Sequence, residues 1–250
     1  MRIKHLIFSL IFGCAMISGT AFALDTTETV GVGLLTDFEA YYGKSYSAEG
    51  KGGSYLDLTA AGGITENFSY FLGTTFSNNG DASAVEGFGV MLLWTAMSND
   101  AFAFDIMPSF SVDANKAAVT ATGEMVYPEG KNYTFGVDFE FNYTAFAMLQ
   151  PYLVIGFGYS MFDEVPAGED DYDWAVPVAL GVMNPVAEGV EFFLQFSTEA
   201  GKARKWETTA RTLSAGLNVM YSEKLEVITE AGWDYTESQF YSSVGLIYAI

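Results

Sequence analysis

The sequence predicts an all-β protein, a transmembrane antiparallel up-and-down β-barrel of about 12 strands. Three observations predict it: alternation of period two along almost the whole chain, no helical period of useful length, and an amino terminus that reads as an export signal. The run YTFGVDFEFNY, Tyr133–Tyr143, shows the alternation most plainly. Its odd positions are Tyr133, Phe135, Val137, Phe139, Phe141 and Tyr143, and its even positions are Thr134, Gly136, Asp138, Glu140 and Asn142. A strand of this kind has one apolar face and one acidic face, and each calls for a different solvent.

The chain opens MRIKHLIFSLIFGCAMISGTAFALD. Arg2 and Lys4 precede an apolar run, and Ala21-Phe22-Ala23 has the small-x-small form of a cleavage site. Residues 1–23 are therefore expected to be a secretory signal peptide, and residues 24–250 the outer-membrane barrel. Gly13 and Gly19 interrupt the apolar run, which makes a transmembrane anchor the weaker reading. Ile11-Phe12-Gly13-Cys14 forms a partial lipobox, an alternative that Phe12 fits poorly. Cleavage would remove the one histidine, His5, and the one cysteine, Cys14, leaving no disulfide, thiolate or imidazole chemistry. Losing Arg2 and Lys4 would also take the net charge from −20 to −22, a sign that argues against nucleic acid as a partner.

Alternation then marks thirteen candidate strands: Val30–Tyr42, Tyr55–Ile64, Phe68–Ser77, Glu86–Ala96, Phe102–Val112, Val119–Tyr127, Tyr133–Tyr143, Tyr152–Met161, Trp174–Met183, Val190–Thr198, Thr209–Met220, Leu225–Tyr235 and Phe240–Ile250. Turn residues separate them at Glu66-Asn67, Ser98-Asn99-Asp100, Pro128–Lys131, Asn184-Pro185 and Ser222-Glu223-Lys224. The charge-free run Phe141–Phe162 is long enough for a membrane helix, but Gln150-Pro151 divides it and alternation resumes at Tyr152, so it reads as two strands and a turn. Bacterial single-chain barrels have even strand counts. Counted from the front, the turn at Pro128–Lys131 should be periplasmic; counted from the back, extracellular. One strand too many therefore lies between Ala101 and Tyr143, with Asp113–Lys116 read as a bulge or kink. Twelve strands follow, with ten or 14 as alternatives.

A soluble sandwich would also produce many alternating strands. The barrel is favoured by the export signal, by aromatic residues near strand ends, and by connections that alternate between short and long. Trp94, Trp174, Trp233 and Tyr248 are the candidate interface aromatics. Gly43–Gly53, Asn78–Ala84, Asp163–Asp173 and Ala200–Lys205 are the long connections. The final strand places Val244, Leu246, Tyr248 and Ile250 on one parity. In this it resembles the closing strand of bacterial outer-membrane β-barrels, which their assembly machinery recognises, although Ile250 stands where that family usually has Phe. The resemblance covers the whole mature chain. It implies a bacterial outer-membrane location, with the lipid bilayer, lipopolysaccharide and the assembly machinery as partners. Within the group, Gly63–Asn67 and Tyr221–Leu225 resemble turns of the outer-membrane transporters associated with aromatic-compound degradation. That likeness implies hydrophobic or aromatic cargo.

If the aromatic parity faces lipid, the inward set contains Asp37, Glu39, Asp57, Asp105, Glu124, Asp138, Glu140, Glu191, Glu226, Glu230 and Asp234, and most other inward positions are Gly, Ser, Thr or Ala. The cations lie mostly in loops and turns: Lys44, Lys51, Lys116, Lys131, Lys202, Arg204, Lys205 and Lys224. Only Arg211 lies well inside a strand, on a parity the pattern leaves open. Unpaired dry carboxylates are costly, so the expectation is a hydrated interior that favours cationic or neutral small solutes. The alternative is a non-conducting structural barrel acting through acidic outer loops.

No enzyme, cofactor or metal site is expected. Histidine-dependent triads cannot be built from the mature chain. Asp138 and Glu140 lie about 7 Å apart along one strand face, as do Asp37 and Glu39, but alternation alone spaces inward carboxylates this way. The acidic loop 163–173 reads as a solvated outer loop, with a divalent-cation bridge to lipopolysaccharide phosphates as an alternative. The glycine pairs Gly31/Gly33 and Gly156/Gly158 precede no helical pattern and complete no phosphate-binding motif.

Overall fold

Every strand with one apolar and one polar face finds two neighbours, and twelve of them close on themselves in the computed structural model. The structure describes residues 32–46, 53–78, 83–115, 118–119, 125–127, 130–146, 148–165, 170–202, 211–236 and 238–250. The wall strands are β1 (Asp37–Tyr46), β2 (Ser54–Thr65), β3 (Phe68–Asn78), β4 (Ser83–Asn99) and β5 (Phe102–Asn115). They continue with β8 (Gly130–Tyr143), β9 (Gln150–Phe162), β10 (Tyr172–Ala187), β11 (Val190–Gly201), β12 (Arg211–Ser222), β13 (Leu225–Asp234) and β14 (Gln239–Ala249). Two short strands, β6 (Ala118–Val119) and β7 (Met125–Tyr127), pair only with each other. All wall pairs are antiparallel. Closure is made by β1 against β14, from Asp37 opposite Ala249 to Tyr46 opposite Phe240. Among the described residues no helix is long and apolar enough to cross a membrane.

The surplus strand falls where the even-count rule places it, but for another reason. Asp113 is an ordinary member of β5, opposite Asn132 and Gly87, and Lys116 lies outside the described residues. Val119–Tyr127 instead contributes the β6–β7 hairpin to the connection between β5 and β8, and crosses no wall. Asn184-Pro185 is not a turn either. Both lie in β10, where a register shift between Pro185 and Ala187 accommodates the missing proline N–H, and the turn is Glu188-Gly189. Gly189 has φ +68°, a conformation that glycine adopts without penalty.

The first candidate strand also starts later than its alternation suggests, at Asp37. Val32 forms a parallel bridge with Gly63, and the Gly33 N–H donates to the Gly63 carbonyl at 2.9 Å. The crossing needs a bare wall, and Gly62 supplies it: a Cβ there would stand 2.6 Å from the Gly33 oxygen and 2.7 Å from that of Leu34. The Tyr70 hydroxyl, opposite Gly62, donates to the Leu34 carbonyl.

The tight turns Glu66-Asn67, Asp100-Ala101, Glu188-Gly189 and Glu223-Lys224 gather at one end of the barrel together with the connection 144–149, and the remaining connections gather at the other. Trp94 and Tyr248 stand on the outer face toward the turn end, Trp174 and Trp233 on the outer face at the loop end, and each is exposed. Outward rings also meet across strands, with Phe104 and Phe141 at 4.8 Å and Phe110 and Phe135 at 4.9 Å between centroids.

Five inward aromatic rings lie across glycines directly opposite them: Tyr41 over Gly245, Tyr55 over Gly43, Tyr152 over Gly181, Phe193 over Gly216 and Tyr241 over Gly232. A Cβ at any of these glycines would overlap the ring. The pairing lets a large ring lie flat against the wall instead of projecting along a radius. Gly245→Val should therefore cost about 1–3 kcal/mol through overpacking. Urea unfolding of the refolded barrel in lipid vesicles measures the cost, and adding Tyr41→Ala should recover part of it.

Candidate functional site: the interior of the barrel

The two faces of the wall differ in exposure as alternation requires. On β8, Asn132, Thr134, Asp138, Glu140 and Asn142 are buried, while Phe135 and Tyr143 are exposed. On β13, Glu226, Ile228, Glu230 and Asp234 are buried while Trp233 is exposed. In a closed barrel the buried parity is the inward one.

Most of the acidic positions singled out from sequence fall on that parity. Glu39, Asp105, Asp138, Glu140, Glu226, Glu230 and Asp234 are buried, and Asp37, Asp57 and Glu191 are half-buried. Glu124 lies outside the described residues. Asp37 Oδ2 accepts from the Thr36 hydroxyl at 2.8 Å, Glu230 Oε1 from the Tyr241 hydroxyl at 2.7 Å, and Asp234 Oδ1 from the Thr236 N–H at 2.7 Å. Asp105 stands directly opposite Glu140, and its Oδ1 accepts from the Thr95 hydroxyl at 2.6 Å. Asp138 stands between Met107 and Gly156 on the neighbouring strands. Asp105 is 0 % exposed, and Asp138 and Glu140 are each 1 % exposed.

Three further carboxylates share the inward parity near the loop end, namely Asp113, Asp173 and Glu199. The sequence pattern places Asp173 in the acidic loop, but it begins the inward row of β10. The strand cations take the other parity. Lys44 and Lys131 are exposed, and Arg211, the first residue of β12, shares parity with outward Leu213 and Leu217 and directs Nε to the Thr236 hydroxyl at 3.5 Å. In the loop after β9, Asp170 pairs with Lys202 at 2.7 Å, and Asp163 accepts from the Lys131 N–H.

The interior is less uniformly small and polar than the pattern suggests. One buried apolar cluster holds Tyr41, Met183, Phe193 and Ile228, with Ile247 packed against it. A second holds Ala61, Phe71, Met91, Leu93 and Met107. They occupy different arcs, β10 round to β1 and β2 round to β5. The sequence reading named acids on the inward parity but not the aromatics that share it, among them Tyr41, Phe71, Tyr152 and Phe193. The available signal was parity, since Phe71 alternates in step with Ser69 and Thr75, and Phe193 in step with Gln195.

Polar groups elsewhere in the interior answer one another. Tyr152 donates to Gln195 Oε1 at 2.8 Å, and Thr134 and Ser160 hydroxyls meet at 2.9 Å.

No family model matches the chain, and no curated protein matches it in sequence. Solved structures match its architecture. The NanC porin aligns with a TM-score of 0.58 at 11% identity, over 86% of this chain and 100% of that one. The β domain of the Bordetella autotransporter BrkA aligns at 0.60 and 12% identity, over 86% and 99%. The COG4313 outer-membrane channel from Pseudomonas putida F1 aligns at 0.56 and 10% identity, over 89% and 97%. Identities this low carry the fold alone: a closed 12-strand barrel of the kind found in outer-membrane proteins.

Tyr241→Phe would leave a buried Glu230 oxygen without its donor. It should destabilise the barrel by about 1–3 kcal/mol, again read from urea unfolding in vesicles.

Proposed function

We propose that the protein is an outer-membrane channel for small solutes, with an acidic interior that favours cationic and neutral cargo. The observation that carries this reading is the division of charge across the wall: inward positions hold carboxylates and small polar residues, while Lys44, Lys131 and Arg211 take the outward parity. Near the loop end, Asp113, Asp173, Glu199 and Asp234 come from β5, β10, β11 and β13, so the negative field surrounds the entrance on several sides. Carboxylates so placed attract cations and repel anions.

On this reading residues 1–23 are removed on export. Trp94, Trp174, Trp233 and Tyr248 anchor the wall at the two interfaces with the bilayer and its lipopolysaccharide. The outward row Val244, Leu246, Tyr248 and Ile250 is the surface offered to the assembly machinery. Hydrophobic or aromatic cargo is the finer proposal. It rests on the family resemblance and draws support from the apolar clusters inside the barrel. The same clusters favour a second reading, a sealed barrel acting through its acidic loops, because apolar side chains packed across an interior obstruct water.

Planar-bilayer recording separates the two. The channel reading expects discrete conductance steps and, under a potassium chloride gradient, a reversal potential of cation-selective sign. Asp173→Asn with Glu199→Gln should move that potential toward zero. A folded barrel that gives no steps, or one that prefers chloride, would remove the channel proposal.

A further inference from the structure

Free interior space is distributed unequally around the wall. From β9 round to β2, aromatic rings lie over the five glycines described above. Elsewhere carboxylate oxygens lie over two glycines, Asp113 Oδ1 over Gly87 and Asp138 Oδ1 over Gly156, but two inward glycine pairs are bare. Gly73 stands opposite Gly89 and Gly136 opposite Gly158, and a Cβ at Gly158 would meet nothing nearer than the Ala175 carbonyl oxygen at 4.0 Å.

Unanswered polar atoms gather on the arc that holds these pairs. Ser69 Oγ, Thr75 Oγ1, Ser109 Oγ and Asp138 Oδ1 are buried without a hydrogen-bond partner, and all four lie on β3, β5 and β8. Ser69 is itself 0 % exposed and faces Leu93, in the cluster that also holds Met107, opposite Asp138. Buried polar atoms are normally satisfied, so a concentration of exceptions beside unfilled space points to a bound molecule. Its chemistry can be read from the lining. Asp105 and Asp138 offer carboxylate oxygens to a cation, and Asp105 stands opposite Glu140, so negative charge is concentrated there. Phe71, Met91 and Met107 offer an apolar, polarisable surface. Among the described residues no group of three or more potential metal-ligating side chains is assembled, so the cation this lining suits is organic.

We propose that this arc binds a small amphipathic organic cation, with its ammonium or guanidinium group against Asp138 and Asp105 and its apolar body against Met107, Met91 and Phe71. As a statement about cargo, this rests on the channel reading; as a statement about binding, it does not require conduction.

The test is equilibrium titration of the full mature barrel in nanodiscs, with empty nanodiscs as blank. The probe is phenethylammonium, compared with phenylacetate and 2-phenylethanol. Saturable binding of phenethylammonium near one per barrel is expected, with phenylacetate binding negligible and 2-phenylethanol at least roughly tenfold weaker, as loss of a charge-assisted contact predicts. Asp138→Asn should weaken phenethylammonium by a similar factor, and Met107→Ser should weaken it while leaving methylammonium unchanged. Equal binding of phenylacetate or 2-phenylethanol by the wild-type protein would overturn the proposal even if no variant folds. So would undiminished binding by a folded Asp138→Asn variant. Binding without bilayer conductance would keep the site and remove the channel; conductance without binding would do the reverse.

Discussion

A backbone that crosses hydrocarbon must satisfy every N–H and C=O within the protein, and closure of β14 onto β1 meets that demand here. Ten residues of β1 find partners on β14, and eight of them also find partners on β2, so the wall has no open edge there. Closure then divides every strand between two environments. Period-two alternation, which in a soluble sandwich would bury aromatics and wet the acids, does the opposite. Exposed Phe135 and buried Asp138 on the same strand show the inversion directly.

Inversion creates an interior problem that a soluble core does not have. Carboxylates drawn from many strands converge on one axis with no strand lysine or arginine facing them among the described residues. Part of the interior answers with hydroxyls, as Tyr241 does for Glu230 and Thr95 for Asp105. Another part answers with bulk: rings pressed onto glycines and two apolar clusters fill volume that charge would otherwise have to share. The arc on β3, β5 and β8 carries part of the second cluster and the Thr95–Asp105 contact, yet leaves four of its buried polar atoms without a partner.

Strand positions were legible because a closed wall with two unlike faces imposes a local rule. Phe68–Ser77 became Phe68–Asn78, Val190–Thr198 became Val190–Gly201, and Leu225–Tyr235 became Leu225–Asp234. The rule failed where local pattern and long-range pairing part company. In Val119–Tyr127, which alternates, the described residues Val119 and Met125–Tyr127 pair in the separate β6–β7 sheet, and Val32 is diverted across Gly62 and Gly63 before the first wall strand begins. Inward acids could be read from parity, whereas inward aromatics could not be read from residue type. The room for Tyr41's inward ring comes from Gly245, 204 positions away, lying opposite it. Parity with Asp37 and Glu39 gives the facing of Tyr41, and the register supplies the glycine that makes room for its ring.

The order of these features along the axis bears on how charge and hydrophobicity would combine in selection. Asp113, Asp173, Glu199 and Asp234 stand near the loop end, whereas Phe71, Phe193 and Ile228 lie a few residues from the tight turns. On the channel reading, a solute entering from the loop side meets the negative field while still hydrated and meets the apolar clusters only after shedding water. An inorganic cation gains at the first stage and loses at the second, because apolar walls do not replace its hydration shell. An amphipathic cation gains at both, since its charged group keeps Asp105 and Asp138 within reach while its apolar body contacts Met107. A barrel selecting on charge alone would have no use for methionines beside its most deeply buried carboxylates, and one selecting on hydrophobicity alone would have no use for the carboxylates.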